Sequence, residues 1–160
     1  MELPRIYIET SVISYLTARS SRDLLVAARQ EATREWWERR ASAFRPVISS
    51  LVIEESSAGD PEAALRRLDI CLPLPRLPID AASEHLAERL ISTGTIPATE
   101  QEDALHLAIA TLSNVDFIAT WNFAHLVGPV AKYRLQSAIE HLGYPPPILA
   151  TPEELLETLS

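Results

Sequence analysis

The sequence predicts an α/β protein with a mainly parallel sheet covered by helices on both faces. Three observations predict it. Short β-prone runs alternate with longer stretches of helical periodicity. Most helical stretches open on Ser, Thr or Asp, and several close on Gly. The 160 residues, 47% hydrophobic and 22% charged, suit a single domain over residues 1–160 with a sizeable core.

Arg5–Ile8 is β-prone and runs into Glu9-Thr10, a strand end followed by a helix over 10–17. Ser20 or Ser21 can cap a longer helix, with Leu24, Ala28, Ala32 and Trp36 at four-residue steps, ending near Phe44. Pro46–Ile48 reads as a strand. Ser49-Ser50 then caps a helix carrying Glu54 and Glu55, ended by Gly59. Asp60-Pro61 starts the next helix, with Pro where its missing N–H costs least. Residues 71–78 are extended and broken by proline, and 80–93 are helical up to Gly94. Thr99 and Glu102 have the spacing of a capping box ahead of a helix with the core stripe Leu105, Ala108, Ile109 and Leu112. Residues 117–120 form a buried strand, 129–142 a helix closed by Gly143, and 148–150 a last strand. Thr151-Pro152-Glu153-Glu154 caps a terminal helix.

Charge narrows the partners. A net charge of −8 disfavours nonspecific binding to polyanions over the whole surface, so such a partner needs a local basic patch. Seven of the thirteen arginines fall between Arg19 and Arg45, against four acids, which makes that stretch locally +3. The stretch reads either as a phosphate-facing patch or as a solvated helix with i,i+4 ion pairs. Trp36 and Trp37 are adjacent, so both cannot face one core. One is expected half-exposed, at a dimer or partner surface or packed on Arg stems. Cys71 is the lone cysteine, which excludes a disulfide framework and a thiolate zinc site. No signal-peptide pattern and no apolar run of membrane-spanning length is present, so the expected location is the cytoplasm, without a membrane. The four glycines all fall at element ends, which leaves no phosphate-cradling glycine loop. A phosphoacceptor domain would want Asp at the first strand end and a later Lys, but Glu9 stands there and Lys132, the sole lysine, sits on a helix.

In parallel sheets ligands bind at the carboxyl ends of the strands. Glu9 closes the first strand; Glu55 shares a helix face with Val52 and points to the sheet edge. Asp103 heads its helix, where its charge also suits the helix N-terminus. Asn122 ends a buried strand and can offer a carbonyl oxygen or close a turn. Asp116 lies at the opposite end of that strand and reads as structural. His106, one turn after Asp103, is either a substrate-side candidate or a hydrogen-bonded histidine at the core edge; His125 is open to the same two readings. Carboxylates held together repel unless a cation intervenes, and oxygen ligands suit Mg²⁺ or Mn²⁺. A water held by such an ion is a nucleophile, which fits phosphodiester hydrolysis.

Together these blocks resemble the PIN-domain ribonucleases found as toxins in type II toxin–antitoxin pairs. YIETSVISYL (7–16) resembles the opening strand and acid, SSLVIEE (49–55) the second acidic helix, EDALHLAIA (102–110) the third. VDFIATWNFAHL (115–126) resembles the strand leading to the fourth position. The likeness spans residues 5–150. It implies a three-layer α/β/α sandwich and an acidic pocket holding Mg²⁺ or Mn²⁺, with no covalent intermediate. It also implies an RNA substrate, a homodimer and an inhibiting antitoxin. Carried over, Glu9, Glu55, Asp103 and Asn122 are catalytic, metal-binding residues, with Thr10, Ser11, Thr120 and His106 on the substrate side. Glu9 stands where the family usually has Asp and reaches one methylene further. Asn122 stands where an acid is common and supplies oxygen without charge, so the alternative is a catalytically weak RNA- or protein-binding module.

Overall fold

The computed structural model describes residues 2–159. Five strands form one sheet in the order β3-β2-β1-β4-β5, every neighbouring pair parallel. They are β1 (Arg5–Ile8), β2 (Arg45–Ser49), β3 (Arg76–Leu77), β4 (Phe117–Ala119) and β5 (Ile148–Ala150). Parallel neighbours need crossovers. Helices α1 (Thr10–Thr17) and α2 (Leu24–Arg39) join β1 to β2; α3 (Ser50–Ser56) and α4 (Pro61–Cys71) join β2 to β3. α5 (Ala81–Ser92) and α6 (Gln101–Leu112) lead to β4, α7 (Pro129–His141) to β5, and α8 (Pro152–Glu157) follows. The helices flank the sheet as the three-layer α/β/α reading expects.

β1 is the central strand. Ile6, Tyr7 and Ile8 are all fully buried, because a strand covered on both faces shows no polar alternation. The chain first builds outward from β1 to β2 and β3, then returns to place β4 on the other side of β1. In parallel α/β sheets such a reversal is where ligands bind, outside the carboxyl ends of the strands, here β1 and β4. With Ile8 in register with Ala119, Glu9 and Thr120 leave the sheet side by side.

Several local readings are corrected by packing. α2 is capped by Asp23, whose carboxylate accepts from Leu25 N (2.9 Å) and Val26 N (3.0 Å), while Ser21 Oγ accepts from Asp23 N. Its buried face is Gln30, Thr33 and Trp36 at three-residue steps, not the Leu24–Ala28 row, and Leu24 is 87% exposed. Neighbouring α1 and α8 pack against this helix and select that face over the more hydrophobic one. α2 stops at Arg39. A short 3₁₀ turn (Arg40–Ser42) follows, which frees Phe44 to stack edge-on to Phe117 at 5.3 Å. Such a pair is worth about 1 kcal/mol beyond its burial. The Thr99 capping box does not form: Glu100 is the N-cap of α6 and makes no side-chain cap bond. Ser49 likewise gives its hydroxyl to Tyr7 instead of capping α3. α6 is buried over more than one stripe, from Ala104 through Thr111, with Leu105 and Leu112 only half-buried. The proline-broken stretch contributes β3, an edge strand of two residues.

The arginine-rich stretch is largely committed within the chain. Arg39 reaches Glu35 and Leu159 O, Arg34 reaches Ala18 O, Arg19 faces Glu62, and Arg45 holds Glu2 and Leu3 O. Trp36 is fully buried, and Trp37 is half-buried with the Arg40 guanidinium 3.6 Å from its ring centroid. Burial lowers the pKa of Arg40 from its ordinary value. Among the described residues no helix is long and apolar enough to cross a membrane.

Candidate active site

Glu9 is 6% exposed and caps α1. One carboxylate oxygen accepts from Ser11 N (3.0 Å); the other accepts from the hydroxyls of Thr120 (2.6 Å) and Ser11. Ser11 Oγ in turn accepts from Trp121 N (2.9 Å), and Thr120 Oγ1 accepts from Asn122 N (3.0 Å). The two hydroxyls therefore tie the end of β1 to the end of β4. Thr10, Ser11 and Thr120, expected on the substrate side, each donate a hydroxyl hydrogen bond to one of the acids.

Glu55 lies one helix away. Its Oε1 accepts from Thr10 Oγ1 at 2.5 Å and from His106 Nε2 at 2.6 Å. Burial alone would raise its pKa, but these hydrogen bonds and the nearby imidazole outweigh it and hold Glu55 below the usual glutamate value. His106 is 1% exposed and meets a hydrogen-bond partner at each ring nitrogen, as the core-edge reading expects. Its Nδ1 meets Tyr7 Oη at 2.6 Å, and Tyr7 meets Ser49 Oγ at 2.8 Å. Burial pushes the Tyr7 hydroxyl far up, so it stays protonated and donates. With His106 carrying its proton on Nε2, every group finds a partner: Ser49 to Tyr7, Tyr7 to His106, His106 to Glu55.

Asp103 occupies the first turn of α6, where a negative charge is favoured. Its Oδ2 accepts from Asn122 Nδ2 at 3.0 Å. Burial raises its pKa; the Asn122 hydrogen bond opposes this, Glu9 adds repulsion, His125 opposes it, and Glu100 adds a last repulsive contribution. The carbonyl oxygen of Asn122, expected to face an ion, accepts from His125 N at 3.1 Å and keeps a second lone pair. This settles the amide orientation, because an N–H needs the oxygen and a carboxylate needs the NH₂. Asp116 stands at the other end of β4, accepting from Arg5 N at 2.9 Å.

Two features were not foreseen from the sequence. Among the described residues, the one group of three or more potential ligands with donor atoms within 4.8 Å of one another is Glu100, Asp103 and His125. His125 Nε2 lies 3.6 Å from Glu100 Oε1. The sequence signal for Glu100 was hidden because Thr99-Glu100 read as cap chemistry. The second feature is a π-helical turn, Phe123–Val127, directly after Asn122. Leu126 N and Val127 N both bond to Asn122 O, and Gly128 N bonds to Phe123 O at 3.2 Å. Such turns commonly mark functional sites. Gly128 permits it: a Cβ there would meet Phe123 O at 2.5 Å. Gly128→Ala is expected to cost about 2 kcal/mol by forcing the turn to shift. A melting temperature equal to that of the unmodified chain would refute this.

No family model and no curated protein matches the sequence. Among solved structures, the fold matches a chain of VapBC2 from Rickettsia felis, crystallised bound to a DNA fragment from their promoter. The match has a TM-score of 0.56, with 20% sequence identity over 91% of this chain and 97% of that one. The fold is PIN-like. In this PIN-like frame the carboxyl ends of β1 and β4, and the start of α6, bring Glu9, Asp103 and Asn122 to one edge of the sheet, with Glu55 tied in through Thr10.

Proposed function

We propose that this protein is an endoribonuclease that hydrolyses RNA phosphodiester bonds with Mg²⁺ or Mn²⁺, acting as the toxin of a type II toxin–antitoxin pair. One observation carries the reading. Asp103 is held among Glu9 and Glu100 at the sheet edge beside β1, and its pKa is raised by that crowding as well as by burial. A protein keeps such repulsion where a cation relieves it. The donor set fits a hard divalent ion, being carboxylate oxygens with one imidazole at the rim. Asp103 and Glu100, with His125 at the rim, have donor atoms already within 4.8 Å of one another and would hold the ion; Glu9 and Glu55, the other acids the resemblance names, would complete its shell by side-chain adjustment. Bound there, it would activate water and steady charge on a phosphoryl oxygen.

The chain's own residues prepare this. Ser11 and Thr120 fix Glu9, and Thr10 and His106 hold Glu55 ionised, its Oε2 free of hydrogen bonds among the described residues. Asn122 donates to Asp103 Oδ2 and so positions the carboxylate. The VapBC2 likeness supports an antitoxin partner; a homodimer and a cytoplasmic location belong to the same proposal.

Purified protein should cut single-stranded RNA in Mg²⁺ or Mn²⁺ and stop in EDTA, and its expression should arrest growth. Neither cleavage nor arrest with either ion would exclude the enzyme. A second reading, a binding module with weak catalysis, is favoured by the uncharged Asn122 and the −8 charge. It requires calorimetry to find no Mn²⁺ binding that depends on Asp103.

A further inference from the structure

Arg29 on α2 lies against the aromatic side chains that follow β4. Its guanidinium carbon lies 4.8 Å from the ring centroid of Phe123 and 5.6 Å from that of Trp121. Among the described residues it makes no ion pair, and no hydrogen bond of its guanidinium is seen; its backbone carbonyl accepts from Thr33 Oγ1. A cation held against aromatic rings loses side-chain freedom while keeping its planar fork of donors available.

The rings beneath it are firmly placed. Trp121 is buried, donates from Nε1 to Thr33 Oγ1 at 2.9 Å, and donates from its backbone N to Ser11 Oγ. Thr33 is one turn along α2 from Arg29, so the helix is pinned to the same peptide that borders Glu9. Phe123 follows Asn122 directly and is 43% exposed. Phe123 also lines a cleft of about 350 Å³ shared with Pro97, His125, Val130, Arg134 and Leu135. A guanidinium without an ion pair, a half-exposed phenyl ring and a cleft thus adjoin the acidic cluster.

We infer that Arg29 and Phe123 form a nucleotide subsite for single-stranded RNA, Arg29 binding a backbone phosphate next to the scissile one and Phe123 stacking the adjoining base. The inference rests on the ribonuclease reading. A guanidinium fork matches phosphate oxygens, and base–aromatic stacking tolerates any sequence. The chain's charge of −8 makes a held cation at this rim more necessary, because the acidic cluster itself repels phosphate.

The test measures RNA binding in EDTA, which halts metal-dependent cleavage. The probe is a fluorescein-labelled single-stranded RNA of about 12 nucleotides, read by anisotropy across a salt series. Arg29→Gln should weaken binding about tenfold and flatten the slope of log K against log salt by about 0.7, the share of one phosphate on a single strand. Phe123→Ala should weaken binding about tenfold with the slope kept. Arg45→Gln, at the amino end of β2 and away from the acidic cluster, should change neither. Parent-like affinity and slope for Arg29→Gln, or an equal loss from Arg45→Gln, overturns the subsite. If Arg29→Gln melts early, Arg29→Lys decides. It keeps the charge and loses the fork, so affinity should fall severalfold at constant slope, and parent-like affinity counts against the subsite. Failure of the ribonuclease reading looks different: no cleavage in Mn²⁺ by a chain whose binding in EDTA still depends on Arg29.

Discussion

Asp103→Asn is expected to lower RNA cleavage by about a thousandfold or more and yet to stabilise the metal-free protein. The two effects share one cause. The raised pKa of Asp103 means that its ionised form costs free energy in the folded chain. The sign follows from proton binding. In the window between the ordinary aspartate pKa and the raised folded value, the folded state holds more protons than the unfolded one. Stability from this group is therefore greatest at low pH and falls as pH rises through the folded pKa. Asn removes that cost. Above the window the variant should melt about 3 °C higher than the unmodified chain, and below it the difference should vanish. Glu55, with its pKa lowered, works in the opposite sense: its contribution is present above the ordinary glutamate value and is lost as pH falls through the lowered one. Addition of Mn²⁺ should reverse the order of melting temperatures, because the parent gains a ligand and the variant does not. Calorimetric melts at two pH values, with and without Mn²⁺, check the whole pattern. A variant that cleaves like the parent removes Asp103 from the chemistry.

His106→Ala should be the most damaging change outside the acids themselves. It removes a buried and a part-buried hydrogen bond, both at 2.6 Å, and leaves a void beneath β1. Tyr7 keeps only Ser49, and Glu55 keeps only Thr10. Loss of the bonds and the packing together should cost about 3 kcal/mol, or about 9 °C in melting temperature. Glu55 also loses one of the two groups that hold it ionised and oriented, so Mn²⁺ affinity should fall about tenfold or more. Tyr7→Phe separates these roles. It leaves the His106–Glu55 bond in place, so it should cost about 2 kcal/mol with nearly unchanged Mn²⁺ affinity. Equal losses of affinity in the two variants would mean that His106 acts only through packing.

The legible part of this chain was its local chemistry. The strand at residues 5–8, the Asp60-Pro61 start, the turns at Gly94 and Gly143, and the Thr151–Glu154 box all follow from backbone constraints that act within a few residues. α2 shows the limit. Its most hydrophobic-looking row begins with the exposed Leu24, whereas Gln30 and Thr33 are buried, because Gln30 finds Ser21 N and Arg19 O, and Thr33 finds Trp121. A buried polar side chain is tolerated when a distant partner satisfies it, and no local pattern names that partner.

The candidate site divides the same way. Residue type and position at element ends singled out Glu9, Glu55, Asp103 and Asn122, since strand ends of a parallel sheet and helix starts are where such groups reach solvent and ligand. Their roles depended on contacts between residues far apart in the chain. Thr120 meets Glu9 across 111 positions, His106 meets Glu55 across 51, and Asn122 meets Asp103 across 19. Those pairings give Thr10, Ser11 and Thr120 hydrogen bonds to the acids, and make Asn122 a donor to Asp103. Fold class and the identity of the acids were written in short-range propensity. Which oxygen stays free, which histidine is sealed in the core, and where Arg29 lies were decided only when the sheet order brought β4 beside β1.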